Sequence, residues 1–80
     1  MKKNVPQLDL HPLSSQEAKS ALREFLTAAL RQGKSQVRII HGLGAGRMEE
    51  LTQQIVEEFG YAKEDYHYDG ANCGATIVHL

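Results

Sequence analysis

The chain has no tryptophan, two prolines, three tyrosines, two phenylalanines and a single cysteine, Cys73. One thiol excludes an internal disulfide framework, and the expected setting is a reducing compartment, the cytoplasm. No apolar run approaches the length needed to cross a bilayer, and Met1-Lys2-Lys3 leads into no apolar signal-peptide core. No membrane partner is therefore expected. There is also no excess of positive charge. The formal net charge of −1 argues against strong, indiscriminate binding to polyanions.

What is present fits one small globular domain. Eighty residues, 41% hydrophobic and 24% charged, lie near the lower limit at which one core stabilises a chain unaided. Residues 1–6 read as a flexible polar lead and residues 7–80 as the domain, with no internal repeat or linker. The charge is unevenly spread. Residues 1–48 carry eight Lys/Arg against three Asp/Glu, and residues 49–80 carry one against seven. This imbalance fits either a local anion-attracting face or ordinary solvated helix surfaces.

Gln7-Leu8-Asp9-Leu10-His11 alternates polar and apolar residues, which predicts a short strand ended by Pro12. Ser14 with Glu17 is a capping-box pattern. Ala18, Ala21, Leu22, Phe25, Leu26 and Ala29 then recur at helical spacing as far as Gly33, a stop signal. Val37–Ile40 predicts a second strand. A second helix is expected from Arg47 to about Phe59, burying Met48, Leu51, Ile55, Val56 and Phe59, with Gly60 as its stop. Tyr66–Tyr68 and Ala75–Leu80 read as two more strands around the turn-rich residues 69–74. The order βαβαββ implies an α/β two-layer sandwich. Its mixed four-stranded sheet has parallel first strands, a closing antiparallel hairpin and two helices.

Two strand-to-helix turns carry the chemistry. On a strand, Asp9 and His11 share the face opposite Leu8 and Leu10, roughly 7 Å apart at Cα from a rise of about 3.4 Å per residue. That separation suits a carboxylate that tunes an imidazole and does not require a direct hydrogen bond. His41-Gly42-Leu43-Gly44-Ala45-Gly46-Arg47 follows a strand and opens a helix, where backbone N–H groups and the helix dipole favour an anion. Glycines at alternate positions let the backbone approach a phosphate closely. Arg47 adds a charged donor, at a helix end where the dipole by itself disfavours a cation. The P-loop is excluded, since no Lys-Ser/Thr follows Gly46. The dinucleotide fingerprint is excluded because Arg47 stands at its last glycine.

Parallel pairing would place both histidines at the carboxyl edge of the sheet, with strands about 4.8 Å apart, so that both imidazoles could reach one phosphate. Thr76, in Gly74-Ala75-Thr76-Ile77-Val78, either faces this site or bridges strands. A metal set drawn from His11, His41, His67 and Cys73 lacks ligand spacing, and no metal site is expected from it. The three tyrosines, Tyr61, Tyr66 and Tyr68, are candidates for base stacking or for packing.

The segments Leu8-Asp9-Leu10-His11, His41–Gly46 and Gly74-Ala75-Thr76-Ile77-Val78, in this order and spacing, resemble the three signature segments of the Smr (small MutS-related) domain. The resemblance covers about residues 7–80. It implies a sandwich like the C-terminal domain of translation initiation factor 3, nucleic-acid binding and, in several members, endonuclease activity on branched DNA or on RNA. Carried over by position, Asp9, His11 and His41 become the catalytic candidates. Gly42, Leu43, Gly44, Ala45, Gly46, Arg47 and Thr76 become the nucleic-acid contacts.

The resemblance also implies nucleic-acid partners, with docking to ribosome or repair machinery as the non-catalytic alternative. RNA would supply its own 2′-OH nucleophile and need no cofactor. DNA needs water to attack, and a divalent cation such as Mg²⁺ would then enter. Where the family has glycine after the first histidine, this chain has Pro12, which removes a backbone N–H.

Overall fold

The structure, a computed structural model, describes residues 5–42, 46–68 and 74–80. The strands and helices follow the expected order: β1 (Gln7–Asp9), α1 (Ser15–Arg31), β2 (Gln36–Ile40), α2 (Arg47–Glu58), β3 (Tyr66–Tyr68) and β4 (Ala75–His79), with a 3₁₀ turn at Lys63–Asp65 that the sequence did not signal. The strands form one sheet in the order β1-β2-β4-β3. β1 runs parallel to β2, and β4 is antiparallel to both β2 and β3. The terminal hairpin thus inserts its second strand into the middle of the sheet.

Alternation along the strands puts Leu8, Val37, Ile39, Tyr66, Thr76 and Val78 on one face. That face packs against Ala18, Leu22, Leu26 and Ala29 of α1 and Leu51, Ile55 and Val56 of α2, with Leu10 joining from just beyond β1. The two helices touch each other and form one layer. Met48 and Phe59 pack at its margin, as the helical spacing predicts. Thr52 is fully buried among these apolar groups, which periodicity alone did not indicate. Its hydroxyl donates to the Met48 carbonyl at 2.7 Å, so burial leaves no polar group unpaired.

α1 begins as the sequence predicts. Ser14 Oγ accepts from Glu17 N at 3.2 Å, and the Ser14 N–H donates to Glu17 Oε1 at 3.0 Å. These bonds to Ser14 hold the Glu17 carboxyl below its ordinary range. Its stabilisation is therefore complete above the unfolded glutamate pKa and is lost as pH falls through the lower folded value. α2 starts differently. Gly46, at φ 87°, has no side chain with which to cap it.

β1 is shorter than the alternation suggested. Leu10 N still donates to Ile40 O at 2.7 Å, but the His11 N–H turns away to Asp9 Oδ1 at 3.0 Å. The turn then closes by Leu13 N donating to Leu10 O at 2.9 Å. Pro12 lies inside this turn at a position whose N–H the turn does not use, so proline costs it no hydrogen bond.

At the same edge Gly74 O accepts from both His41 N (2.8 Å) and Gly42 N (2.9 Å). The backbones are so close that a Cβ on Gly74 would stand 3.3 Å from Gly42 Cα, and one on Gly42 would stand 3.3 Å from His11 Cβ. Gly42 also has φ 78°. Three chain segments therefore meet where no side chain fits between them.

Three substitutions check this account. Ser14→Ala should cost about 1 kcal/mol, lowering Tm by roughly 4–8 °C. Gly42→Ala should destabilise by at least about 1–2 kcal/mol from its positive φ. Gly74→Ala should speed hydrogen exchange at the His41 and Gly42 amides, whose shared acceptor it displaces.

Candidate functional site

The carboxyl edge of β1 and β2 brings the two expected turns together, since His11 lies against Gly42. Asp9 is the last residue of β1, and its Oδ1 accepts from both the backbone N–H and the ring of His11, the latter at 2.8 Å. The contact is direct because the strand ends at Asp9 and the chain curls back. An extended strand through residue 11 would have kept the two side chains apart. A carboxylate oxygen only accepts, so Nδ1 of His11 carries the proton in this bond and Nε2 presents a lone pair. The His11 and Asp9 side chains are 63% and 45% exposed, leaving the imidazole open to a ligand. The hydrogen bonds from His11 hold the Asp9 carboxyl below its ordinary range, which keeps it ionised at neutral pH.

His41 is held quite differently. It is 5% exposed, and its Nε2 lies 2.7 Å from Thr76 Oγ1, while Nδ1 lies 3.3 Å from the Gly42 carbonyl. The carbonyl can only accept, so this pairing has Nδ1 donating and Nε2 accepting from the threonine hydroxyl. Both nitrogens are thus used within the fold, and His41 stands inward of the turn and not beside His11 as a second exposed imidazole. Thr76 is 3% exposed and opposite Ile39 in the sheet, so its hydroxyl serves His41.

Gly46 and the exposed Arg47 open α2 with an uncapped N-terminus, the arrangement that favours an anion there. Leu43, Gly44 and Ala45 lie outside the described residues, as does Cys73. His67 is engaged elsewhere. Its Nε2 lies 3.0 Å from His79 Nε2, and its Nδ1 lies 2.9 Å from the Tyr68 carbonyl. Among the described residues no three His, Cys, Asp or Glu side chains gather as a metal set.

The structure adds Tyr68, which the sequence suggested only as one of three tyrosines. It is 51% exposed, and its ring meets His41 edge-on with centroids 6.1 Å apart. The Glu49 carboxylate in the first turn of α2, together with partial burial, pushes its phenol up. Tyr66, by contrast, is buried, with its hydroxyl donating to Glu57 at 2.9 Å, and Tyr61 packs against the core. Exposure separates the three tyrosines, and spacing could not.

Comparison with known proteins agrees with this architecture. The chain matches the Smr domain over residues 8–80. It is 39% identical over 77 residues to the protein named Endonuclease MutS2 of Lactobacillus gasseri, and 38% identical over 78 residues to that of Streptococcus mutans. These alignments cover 92% and 90% of this chain but 10% of each relative, so the chain spans about a tenth of their length. The crystal structure of the Smr domain of Thermus thermophilus MutS2 has the same fold, with a TM-score of 0.83 and 24% identity over 95% of this chain and 98% of that one. With the sandwich, the three ordered segments and a match across nearly the whole domain, the chain belongs to the Smr domain family.

Proposed function

We propose that this domain binds nucleic acid at the edge formed by His11, Gly42, Gly46 and Arg47 and cuts its phosphodiester backbone as a structure-selective endonuclease. The observation that carries this reading is the exposed Asp9–His11 pair, joined at 2.8 Å and set against the glycine turn. The names of the MutS2 relatives favour the same class.

The chemistry follows from the proton positions. Asp9 fixes the Nδ1–H tautomer and stabilises the imidazolium that forms when Nε2 takes a proton. With RNA, Nε2 removes the proton of a 2′-OH, and that oxygen forms a new bond to phosphorus. The P–O5′ bond breaks, and the departing oxygen takes a proton from solvent while the His11 imidazolium returns its own to solvent, leaving a 2′,3′-cyclic phosphate and a 5′-OH. Arg47 and the N–H groups at the start of α2 stabilise the charge that gathers on the phosphoryl oxygens. His41 acts as a positioning residue, holding the turn through Thr76. A divalent cation for DNA cleavage would be held by the Asp9 carboxylate, of which His11 engages Oδ1, together with the substrate phosphate and water. Cleavage of RNA, by contrast, runs through the protein's own groups and the substrate's own hydroxyl.

Pro12 favours a second reading, in which the domain binds and docks without cutting, because it withholds an N–H beside the reacting phosphate.

The two are separated by incubating the protein with structured RNA, its 2′-deoxy counterpart and branched DNA, with and without EDTA. Cleavage of RNA alone, unaffected by EDTA and reduced at least about 100-fold by His11→Ala, is the expected result. Binding should survive that substitution. If wild type leaves every substrate intact yet binds it, the docking reading replaces the nuclease. Arg47→Ala should weaken binding and lower the slope of log K against log salt by about 1.

A further inference from the structure

Beside Thr76, between β3 and α2, lies a small cavity of about 110 Å³. Its walls are Gln53, Lys63, Tyr66, His67, Tyr68 and Thr76. Drug-sized ligands occupy pockets of about 300–1,000 Å³, so this one suits a single planar ring. We propose that it is a subsite for one unpaired nucleobase of the bound strand, stacked on Tyr68; the inference rests on the nucleic-acid reading above.

Tyr68 is one of two large apolar side chains standing exposed among the described residues, the other being Leu30 on α1. An exposed aromatic ring is what an unstacked base seeks, because every base has a π-face. The ring is not free to swing. Its ring meets the buried His41 edge-on, which limits the side-chain entropy left to be lost on binding.

Glu49 orients another group at the cavity wall. It accepts from Gln53 Nε2 at 3.4 Å, which fixes the Gln53 amide at the cavity wall. An amide offers both donor and acceptor to a base edge. In this arrangement phosphate meets Gly46 and Arg47 while the base meets Tyr68, with Gln53 and Thr76 in the cavity wall. Lys63, at the outer wall, can meet the next phosphate of the strand.

The subsite also supplies selectivity. A base in a duplex is already stacked on its neighbours and must be extruded to reach Tyr68, whereas a base in a loop, bulge or branch is available at little cost. A strand held by backbone contacts alone would lack this preference.

The test uses the 80-residue chain labelled with ¹⁵N. Titration with uridine 5′-monophosphate should shift the amides of Gln53, Tyr68 and Thr76 as well as Gly46 and Arg47; ribose 5-phosphate should move only the last two. Against a single-stranded RNA oligonucleotide, Tyr68→Ala should lose at least about fivefold in affinity while Tyr68→Phe stays close to wild type. An oligonucleotide made abasic throughout should bind wild type and Tyr68→Ala alike. Nucleotide shifts confined to Gly46 and Arg47, or unchanged affinity in Tyr68→Ala, would overturn the subsite and leave phosphate binding standing. If wild type binds neither nucleotide nor oligonucleotide, both readings fall together.

Discussion

The site hangs on one backbone carbonyl. Gly74 O takes the N–H of His41 and the N–H of Gly42, so the end of β2 and the start of β4 share a single acceptor. Two donors converge on one oxygen only if the backbones approach closely, and glycine at both 42 and 74 is what permits it. The same contact fixes where His11 rests, since its Cβ lies over the face of Gly42. It also seats His41 within reach of Thr76 two residues along β4. The Asp9–His11 pair, the inward histidine and the uncapped start of α2 therefore take their positions from a seam that carries no side chain of its own.

Placing β4 between β2 and β3 is what makes this seam. A sheet in simple chain order would have set β3 beside β2, and Gly74 would have stood at the far side. With β4 central, its first residues end next to the strand-to-helix turn, and β3 becomes the outer strand that carries Tyr68 to the same edge. Topology thus collects groups from four parts of the chain. Each contributes a different chemistry: a proton-handling pair, a phosphate-favouring helix start, a buried anchor and an aromatic wall.

Much of this was legible in the residues. Ser14, Glu17 and the apolar stripe of α1 specify that helix completely, because capping and burial are local or periodic properties. Leu8, Leu10, Val37 and Ile39 likewise announce the inner face of the sheet. What the residues could not convey was direction. Asp9 and His11 looked separated on an extended strand, and it took the early end of β1 to bring them into contact. His11 and His41 looked equivalent, each closing a strand before a helix. Only the fold reveals that one imidazole faces solvent while Thr76 holds the other. Thr52 and Tyr68 were hidden for a related reason, since a polar core residue and an exposed aromatic both run against the usual meaning of their type.

The charge imbalance along the chain now has a physical account. Part of the basic excess in residues 1–48 is consumed between the helices, where Arg23 meets Glu58 in a two-point contact at 2.7 and 3.0 Å. Arg38 donates to Gln7 on the open face of the sheet. The exposed Arg23–Glu58 ion pair contributes little to stability, yet it withdraws that cation from any binding face, whereas Arg38 keeps its charge. Arg47 is the cation placed at the start of α2, where the helix dipole opposes it and Glu49 and Glu50 share the first turn. A chain of net charge −1 can engage a polyanion in this way without attracting polyanions in general. On the proposed reading, recognition would depend on phosphate meeting Gly46 and Arg47 while the strand also satisfies the groups beside them. The site would then select for the shape of its ligand more than for its charge.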